Sequence, residues 1–277
     1  MRREYVAGLI LLAACGRWGF GGDPDADLGD DDASPPDVDS ASDPDALQAD
    51  ANTADYTVTV GSTPYPTLPG TVVVPGFATN ADDESYAMTL PFAFTLYGTS
   101  YTSININVNG FVTFGPSPTG LDAYINDCPL DATTPAATIA VFWDDLFSNT
   151  TTAPAGSITY AQDLTTADHW FAVEWRDFDA YYQAGGGNNH FGQNLRVTHL
   201  LVLHESGVFE MKYGPRTAPT LDRDCGLQRH RGCSATIGIE AAGDSPTKTV
   251  QCGNDVNALS AGFTPIDADR FITFTPN

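Results

Sequence analysis

An all-β chain folding as an antiparallel β-sandwich is what this sequence predicts, on three observations. Nearly every periodic segment beyond residue 55 alternates with period two or is rich in Val, Ile, Thr and aromatic residues. No stretch of a dozen residues carries the apolar stripe of a helix, and short strand-like runs are broken throughout by Gly, Pro, Asn and Asp. Many short strands with such punctuation pack as two antiparallel sheets rather than as a parallel sheet flanked by helices.

In chain order the expected strands are Tyr56 to Val60, Thr71 to Val74, Phe92 to Tyr97, Tyr101 to Val108, Phe111 to Phe114 and Thr138 to Trp143. Ser157 to Tyr160, Trp170 to Phe178, Leu195 to His204, Val208 to Tyr213, Ala235 to Glu240 and Phe271 to Phe274 follow. The sharpest local signal is Ile104 to Phe114. Ile104, Ile106 and Val108 share one face, Asn105 and Asn107 the other, and Asn109-Gly110 supplies the two positive φ angles of a tight hairpin. A second hairpin turns at Glu205-Ser206-Gly207, joining Val202-Leu203 to the alternating Val208 to Tyr213.

The amino terminus is of a different kind. Arg2 and Arg3 precede an apolar run from Val6 to Leu12 that is too short to span a bilayer, followed by small residues and Cys15. Leu12-Ala13-Ala14-Cys15 resembles the lipobox of bacterial lipoproteins. That resemblance implies a signal peptide over 1–14, a lipidated amino-terminal Cys15 and, because Gly16 rather than Asp follows, an outer-membrane lipoprotein, periplasmic or surface-exposed. A stably anchored chain needs more than one acyl group, since each buried methylene contributes about 0.8 kcal/mol. The competing reading is an ordinary signal peptide in which Cys15 is just a small apolar residue, and Arg2-Arg3 also touches the twin-arginine pattern.

From Gly16 to Asp55 the chain holds twelve Asp, no Glu and one Arg among Ala, Pro, Ser and Gly. Such a segment has too little apolar surface to offset its ordering entropy, so residues 15–55 are expected to be a disordered acidic linker. Asp23, Asp25 and Asp27 have the spacing of a calcium loop, but Leu28 and Ser34 stand where its glycine and its bidentate glutamate belong.

Residues 56–277 carry 22 acidic and 9 basic side chains within a chain of net charge −23. Nucleic acid is excluded as a partner on this charge, since phosphate binding needs clustered cations and the only lysines are Lys212 and Lys248. The length suits one sizeable β domain. Apart from Cys15, the cysteines are Cys128, Cys225, Cys233 and Cys252, an even number that in an exported domain reads as two disulfides. The favoured pairing is Cys225 with Cys233 and Cys128 with Cys252. The rival is zinc held by Cys225, His230, Cys233 and Cys252, which an oxidising envelope disfavours.

Leu90-Pro91-Phe92-Ala93-Phe94, Tyr97-Gly98 and Asn109-Gly110-Phe111-Val112-Thr113-Phe114-Gly115 are followed by Ile139 to Leu146, Phe171 to Trp175, Gly207 to Tyr213 and Thr236 to Glu240. This ordered series resembles the nidogen-like β domain of extracellular matrix and bacterial surface proteins, over roughly Tyr65 to Pro276. The resemblance implies an extracellular sandwich and supplies no catalytic residues. The cysteine-bearing segment from Cys225 to Cys252 and the insert Gly185-Gly186-Gly187 depart from it.

Candidate chemistry is sparse. Asp144 and Asp145, at a strand end beside Trp143, offer hard oxygens to calcium, and Asp177 and Asp179 join them if two strand ends lie side by side. The alternative is that the pair caps a turn through its own backbone while Trp143 packs in the core. Tyr181, Tyr182 and Gln183, with Asn188 and Asn189 beyond the glycines, present the rings and amides of a sugar- or peptide-binding surface, or else form a long hairpin connection whose tyrosines fold back onto the sandwich. Arg223, Arg229, His230 and Arg231 form a basic cluster that reads first as a solvated surface patch and alternatively as a site for an anionic partner or the chain's own acidic linker. No catalytic set is recognisable: Gly-x-Ser-x-Gly, His-Glu-x-x-His, phosphate-loop and dinucleotide motifs are missing, and His169, His190, His199, His204 and His230 are scattered. The expectation is therefore a lipid-anchored binding or adhesion module that contacts protein or glycan, needs no cofactor and has no catalytic activity. The alternatives are a secreted hydrolase acting on envelope or matrix polymer, and a passive structural lipoprotein.

Overall fold

Strands with one apolar face must bury that face, and here they do so in two stacked antiparallel sheets. The computed structural model describes residues 55–118, 124–126, 130, 137–148, 154–180, 183–184, 188–189, 196–217, 231–243, 246–253 and 266–277. Residues Ala49–Asn277 form a single compact unit.

The larger sheet runs, edge to edge, β1 (Tyr56–Ser62), β16 (Arg270–Pro276), β13 (Phe209–Tyr213), β12 (Arg196–His204), β9 (Trp170–Ala180), β8 (Ser157–Asp163) and β2 (Val72–Val73), with β7 (Leu146–Phe147) also on β9. The smaller runs β15 (Thr247–Cys252), β14 (Thr236–Glu240), β6 (Thr138–Trp143), β5 (Phe111–Thr113), β4 (Thr99–Asn107) and β3 (Ser85–Leu96). A separate two-stranded piece joins β10 (Gln183–Ala184) to β11 (Asn188–Asn189). The elements named among the described residues are all strands, as the periodicity requires.

Each of the twelve expected segments contains a strand, and the differences have causes. β3 begins seven residues before Phe92. Its pairing with β4 shifts between Thr89 and Phe94, around Pro91, and this bulge in an edge strand breaks the alternation that would have revealed the whole element. β15 was not expected, because Thr-Lys-Thr-Val-Gln-Cys is a mostly polar edge strand.

The hairpin at Asn109-Gly110 exists, but as a three-residue loop. Asn107 pairs with Phe111, and of residues 108–110 only Gly110 has a positive φ, 81°. Asn109 is held by two side-chain amides: its backbone N–H donates to Asn107 Oδ1 at 2.8 Å, and its own Oδ1 accepts from Leu146 N–H at 2.7 Å. Gly110 is irreplaceable here, since a Cβ would overlap the Phe142 carbonyl. The second hairpin turns as expected, with Gly207 at φ 86° and Leu203 opposite Phe209.

The core lies between the sheets and is dominated by rings, including Phe94, Phe142, Phe171, Trp175, Phe178, Phe209, Tyr213 and Phe274. Two polar tips cross it. Trp175 Nε1 donates to Asn107 O at 2.8 Å, and Tyr213 Oη donates to Val141 O at 2.8 Å. Trp143 is buried elsewhere, packed with Phe111, Leu130 and Ala140 in a separate cluster. A third cluster, Ala172, Leu200 and Val202, is covered by Tyr65, Leu68 and Trp170. Among the described residues no helix is long and apolar enough to cross a membrane.

Candidate functional site

Three chain segments meet where β6 gives way to β7, and Asn109 ties them together. Asn109 Nδ2 donates to Asp83 Oδ1 at 2.9 Å, its carbonyl accepts from Asp144 N–H at 3.3 Å, and its side-chain oxygen holds Leu146 N–H. The segment before β3 is fixed from both sides, by Ser148 N–H on Ala81 O at 2.8 Å and Val108 N–H on Glu84 O at 3.0 Å. These bonds bring Asp82, Asp83 and Asp145 together, so that one carboxylate oxygen of each lies within 4.8 Å of the others. Three hard oxygens at that spacing are the start of a calcium or magnesium ligand set. Burial, then the charges of Asp83 and Glu84, pushes the Asp82 carboxyl up to about 6.

The four carboxylates singled out in the sequence are distributed differently. The two strand ends do lie side by side, with Leu146 opposite Ala180 and Phe147 opposite Asp179. Asp145 nevertheless joins Asp82 and Asp83, while Asp144 is buried and its Oδ2 accepts from Ser234 Oγ at 2.5 Å. Asp144 Oδ1 also accepts from Asp145 N–H at 3.0 Å, the turn-capping contact weighed for it above. Asp179 is buried against Arg196, with Nε 3.3 Å from Oδ1. Asp177 has φ 58°, its N–H donates to Thr198 Oγ1 and its carbonyl accepts from Arg196 Nη1 at 2.7 Å. Asp82 and Asp83 were missed, although the acidic run Asp82-Asp83-Glu84 beside a strand start is a visible signal.

The aromatic and amide surface falls mainly outside the described residues. Gln183 and Asn189 are opposite each other in the β10–β11 ladder, but Tyr181, Tyr182 and the glycines between the two strands lie outside the described residues. Cys15, Cys128 and Cys225 likewise lie outside them, as do Arg223, Arg229 and His230. Arg231 pairs with Asp267 at 2.7 Å. Cys233 and Cys252 are both disulfide-bonded, which removes two of the three thiolates that the zinc alternative requires.

Among the described residues, His169, His199 and His204 do not gather into one cluster. His169 pairs with Glu205 at 2.7 Å and His204 with Asp168 at 3.2 Å, both pairs joining the turn before β9 to the turn after β12. His199 is fully buried in the core, stacked between Trp175 and Phe142 with centroids 5.0 and 5.6 Å away. Burial, and secondarily the nearby Arg216, holds its pKa well below the usual histidine value.

A family model described as NIDO related matches residues 55–276, which span the sandwich from β1 to β16. The chain belongs to the NIDO-related family. No curated protein and no solved structure matches it. The NIDO-related domain and the two-sheet fold agree in extent, since the match begins one residue before β1 and ends at the last residue of β16.

Proposed function

We propose that this NIDO-related protein is a lipid-anchored binding module of the bacterial cell envelope, whose sandwich is carried on the acidic linker to contact protein or glycan outside the membrane. The observation that carries the reading is the family match over residues 55–276, a domain class that suggests extracellular binding or structural work. The anchor belongs to the proposal through Leu12-Ala13-Ala14-Cys15 and the Asp-rich stretch behind it. Outer-membrane placement, with Gly16 after the cysteine, belongs to it in the same way. Two disulfides, Cys225 with Cys233 and Cys128 with Cys252, would brace the domain.

Binding as proposed needs no catalytic residue and no cofactor. Calcium enters as the ion that Asp82, Asp83 and Asp145 would take, ordering three segments already joined by Asn109. The contact surface is assigned to the insert around Tyr181, Tyr182 and Gln183.

The test is retention of the chain on peptidoglycan and on a glycan array, with and without calcium, together with mass spectrometry of the amino terminus from envelope fractions. Retention lost on replacing Tyr181 and Tyr182 by Ala, and a Cys15 bearing acyl chains, are the expected results. Turnover of a polymer substrate that disappears on replacing one carboxylate would move the protein to the hydrolases. An unmodified Cys15 would remove the anchor.

A further inference from the structure

We propose that β1 is a pairing edge through which two copies of this chain join their larger sheets, with a two-fold axis at Val60. The inference rests on the backbone and on the contrast among the four edges of the two large sheets. An unprotected edge is a template for another strand, and folded proteins blunt such edges with Pro, Lys, bulges or brevity. β3 carries Pro91 and a bulge, β15 carries Lys248 and pairs through a bulge, and β2 is two residues long. β1 has none of these devices. It runs seven residues, Tyr-Thr-Val-Thr-Val-Gly-Ser, without a charge or a proline, and keeps one unbroken register with β16.

The parity of the ladder says which groups face outward. Asn277 N–H donates to Asp55 O and Thr63 N–H donates to Asp269 O, so the odd-numbered residues of this stretch bond to β16. The N–H and C=O of Tyr56, Val58, Val60 and Ser62 therefore point away from the sheet. Tyr56 is satisfied locally: its N–H donates to Asp55 Oδ1 at 2.7 Å and its carbonyl accepts from Lys248 Nζ. That leaves Val58, Val60 and Ser62 as a consecutive outward set, and Val60 is 43% exposed.

A second copy fits this set. With Val60 opposite Val60 of the second copy, Val58 falls opposite its Ser62, and the three outward residues of each strand exchange about six hydrogen bonds. The Tyr56 end, closed by Lys248, stays outside the seam. The chain has net charge −23, so two copies repel across most approaches, but between Val58 and Ser62 the seam brings no charged side chain together. The cross-strand neighbours are Val, Thr, Gly and Ser, with β-branched residues predominating, the class that packs best across strands.

Such a short seam lies at the small end of protein interfaces, so pairing depends on concentration. If the chain is tethered as proposed above, a shared membrane raises the effective concentration. The test does not depend on that tether. The full chain carrying Cys15→Ser, which removes the lipidation site, is examined by sedimentation equilibrium and by amide hydrogen exchange at low and high protein concentration. Expected are a monomer–dimer equilibrium and exchange at Val58, Val60 and Ser62 about tenfold slower when about nine-tenths of the chains are paired. Val60→Lys puts like charges opposite each other on the axis and abolishes both effects, while Val60→Thr retains them, and circular dichroism checks that each variant is folded. A chain that stays monomeric overturns the inference. So does protection of these amides that is independent of concentration, or a dimer indifferent to Val60→Lys.

Discussion

Acid should weaken this fold through His199 in a way that a single substitution isolates. In the folded chain His199 is wholly buried, neither ring nitrogen has a hydrogen-bond partner among the described residues, and its pKa lies well below 6.5. In the unfolded chain it titrates near about 6.5. A depressed folded pKa means that the unfolded state takes up the proton first, so the contribution is neutral above about pH 6.5 and increasingly destabilising below it. The slope is about 1.4 kcal/mol per pH unit for as long as the ring stays neutral in the fold, which bounds the effect at about 2 kcal/mol at pH 5. That is a sizeable part of an ordinary stability of about 5–15 kcal/mol, and for a domain this large it lowers Tm by roughly 4–8 °C. Carboxylates titrate over the same range, so the quantity to read is a difference of differences. Thermal melts of the wild type and His199→Leu are compared at pH 7.5 and pH 5. Whatever the substitution costs in packing is common to both pH values. The variant is expected to lose less stability than the wild type on acidification, by up to about 2 kcal/mol. Equal losses would refute the argument, because they would mean that His199 is protonated within the fold.

Other outcomes follow from the same geometry. Gly110→Ala should cost roughly 3 kcal/mol, since it combines a positive φ with a collision at the Phe142 carbonyl, whereas Gly115→Ala, which meets nothing, should be near neutral in urea melts. Trp175→Phe should cost about 1–3 kcal/mol, because it shrinks a fully buried ring and leaves the Asn107 carbonyl with only its 3.3 Å bond from Gly110 N–H. Asp82→Asn should stabilise the chain at neutral pH in calcium-free buffer. The folded pKa of Asp82 is raised to about 6, so its ionisation opposes folding as pH rises towards and above that value and ceases to do so in acid. Added calcium should raise the Tm of the wild type and leave Asp82→Asn less affected; an identical response would remove the ion from this group. Nonreducing peptide mapping should recover Cys233 and Cys252 only in cross-linked fragments.

The fold was legible wherever one rule of local chemistry acted alone. Ile139 to Trp143 is a continuous apolar run, and with Thr138 it forms a central strand buried along its whole length. Val208 to Tyr213 alternates, and β13 is buried on alternate residues. Legibility failed where two rules competed. At Asn109-Gly110 the dipeptide that favours a two-residue turn is overridden by long-range partners of the Asn109 side chain, none of which is near in sequence. The polar β15 is held as a strand by β14, through five cross-strand pairs that its own composition does not advertise.

The candidate site failed to show itself for a related reason. Asp144 and Asp145 are adjacent, and adjacency suggested one site, yet successive residues at a strand end point to opposite sides of the backbone. Asp144 therefore goes to Ser234, and Asp145 goes to the segment before β3. What assembles Asp82, Asp83 and Asp145 is Asn109, whose backbone and amide hold the β6–β7 turn and Asp83 at once. Asn109→Ala is therefore a sharper probe of the site than any of its carboxylates. It leaves every negative charge in place and frees the Leu146 amide and Asp83 together. If the acidic group acts through its arrangement, this change should abolish the calcium-dependent rise in Tm while leaving net charge unaltered. If calcium is attracted by charge density alone, the rise should survive.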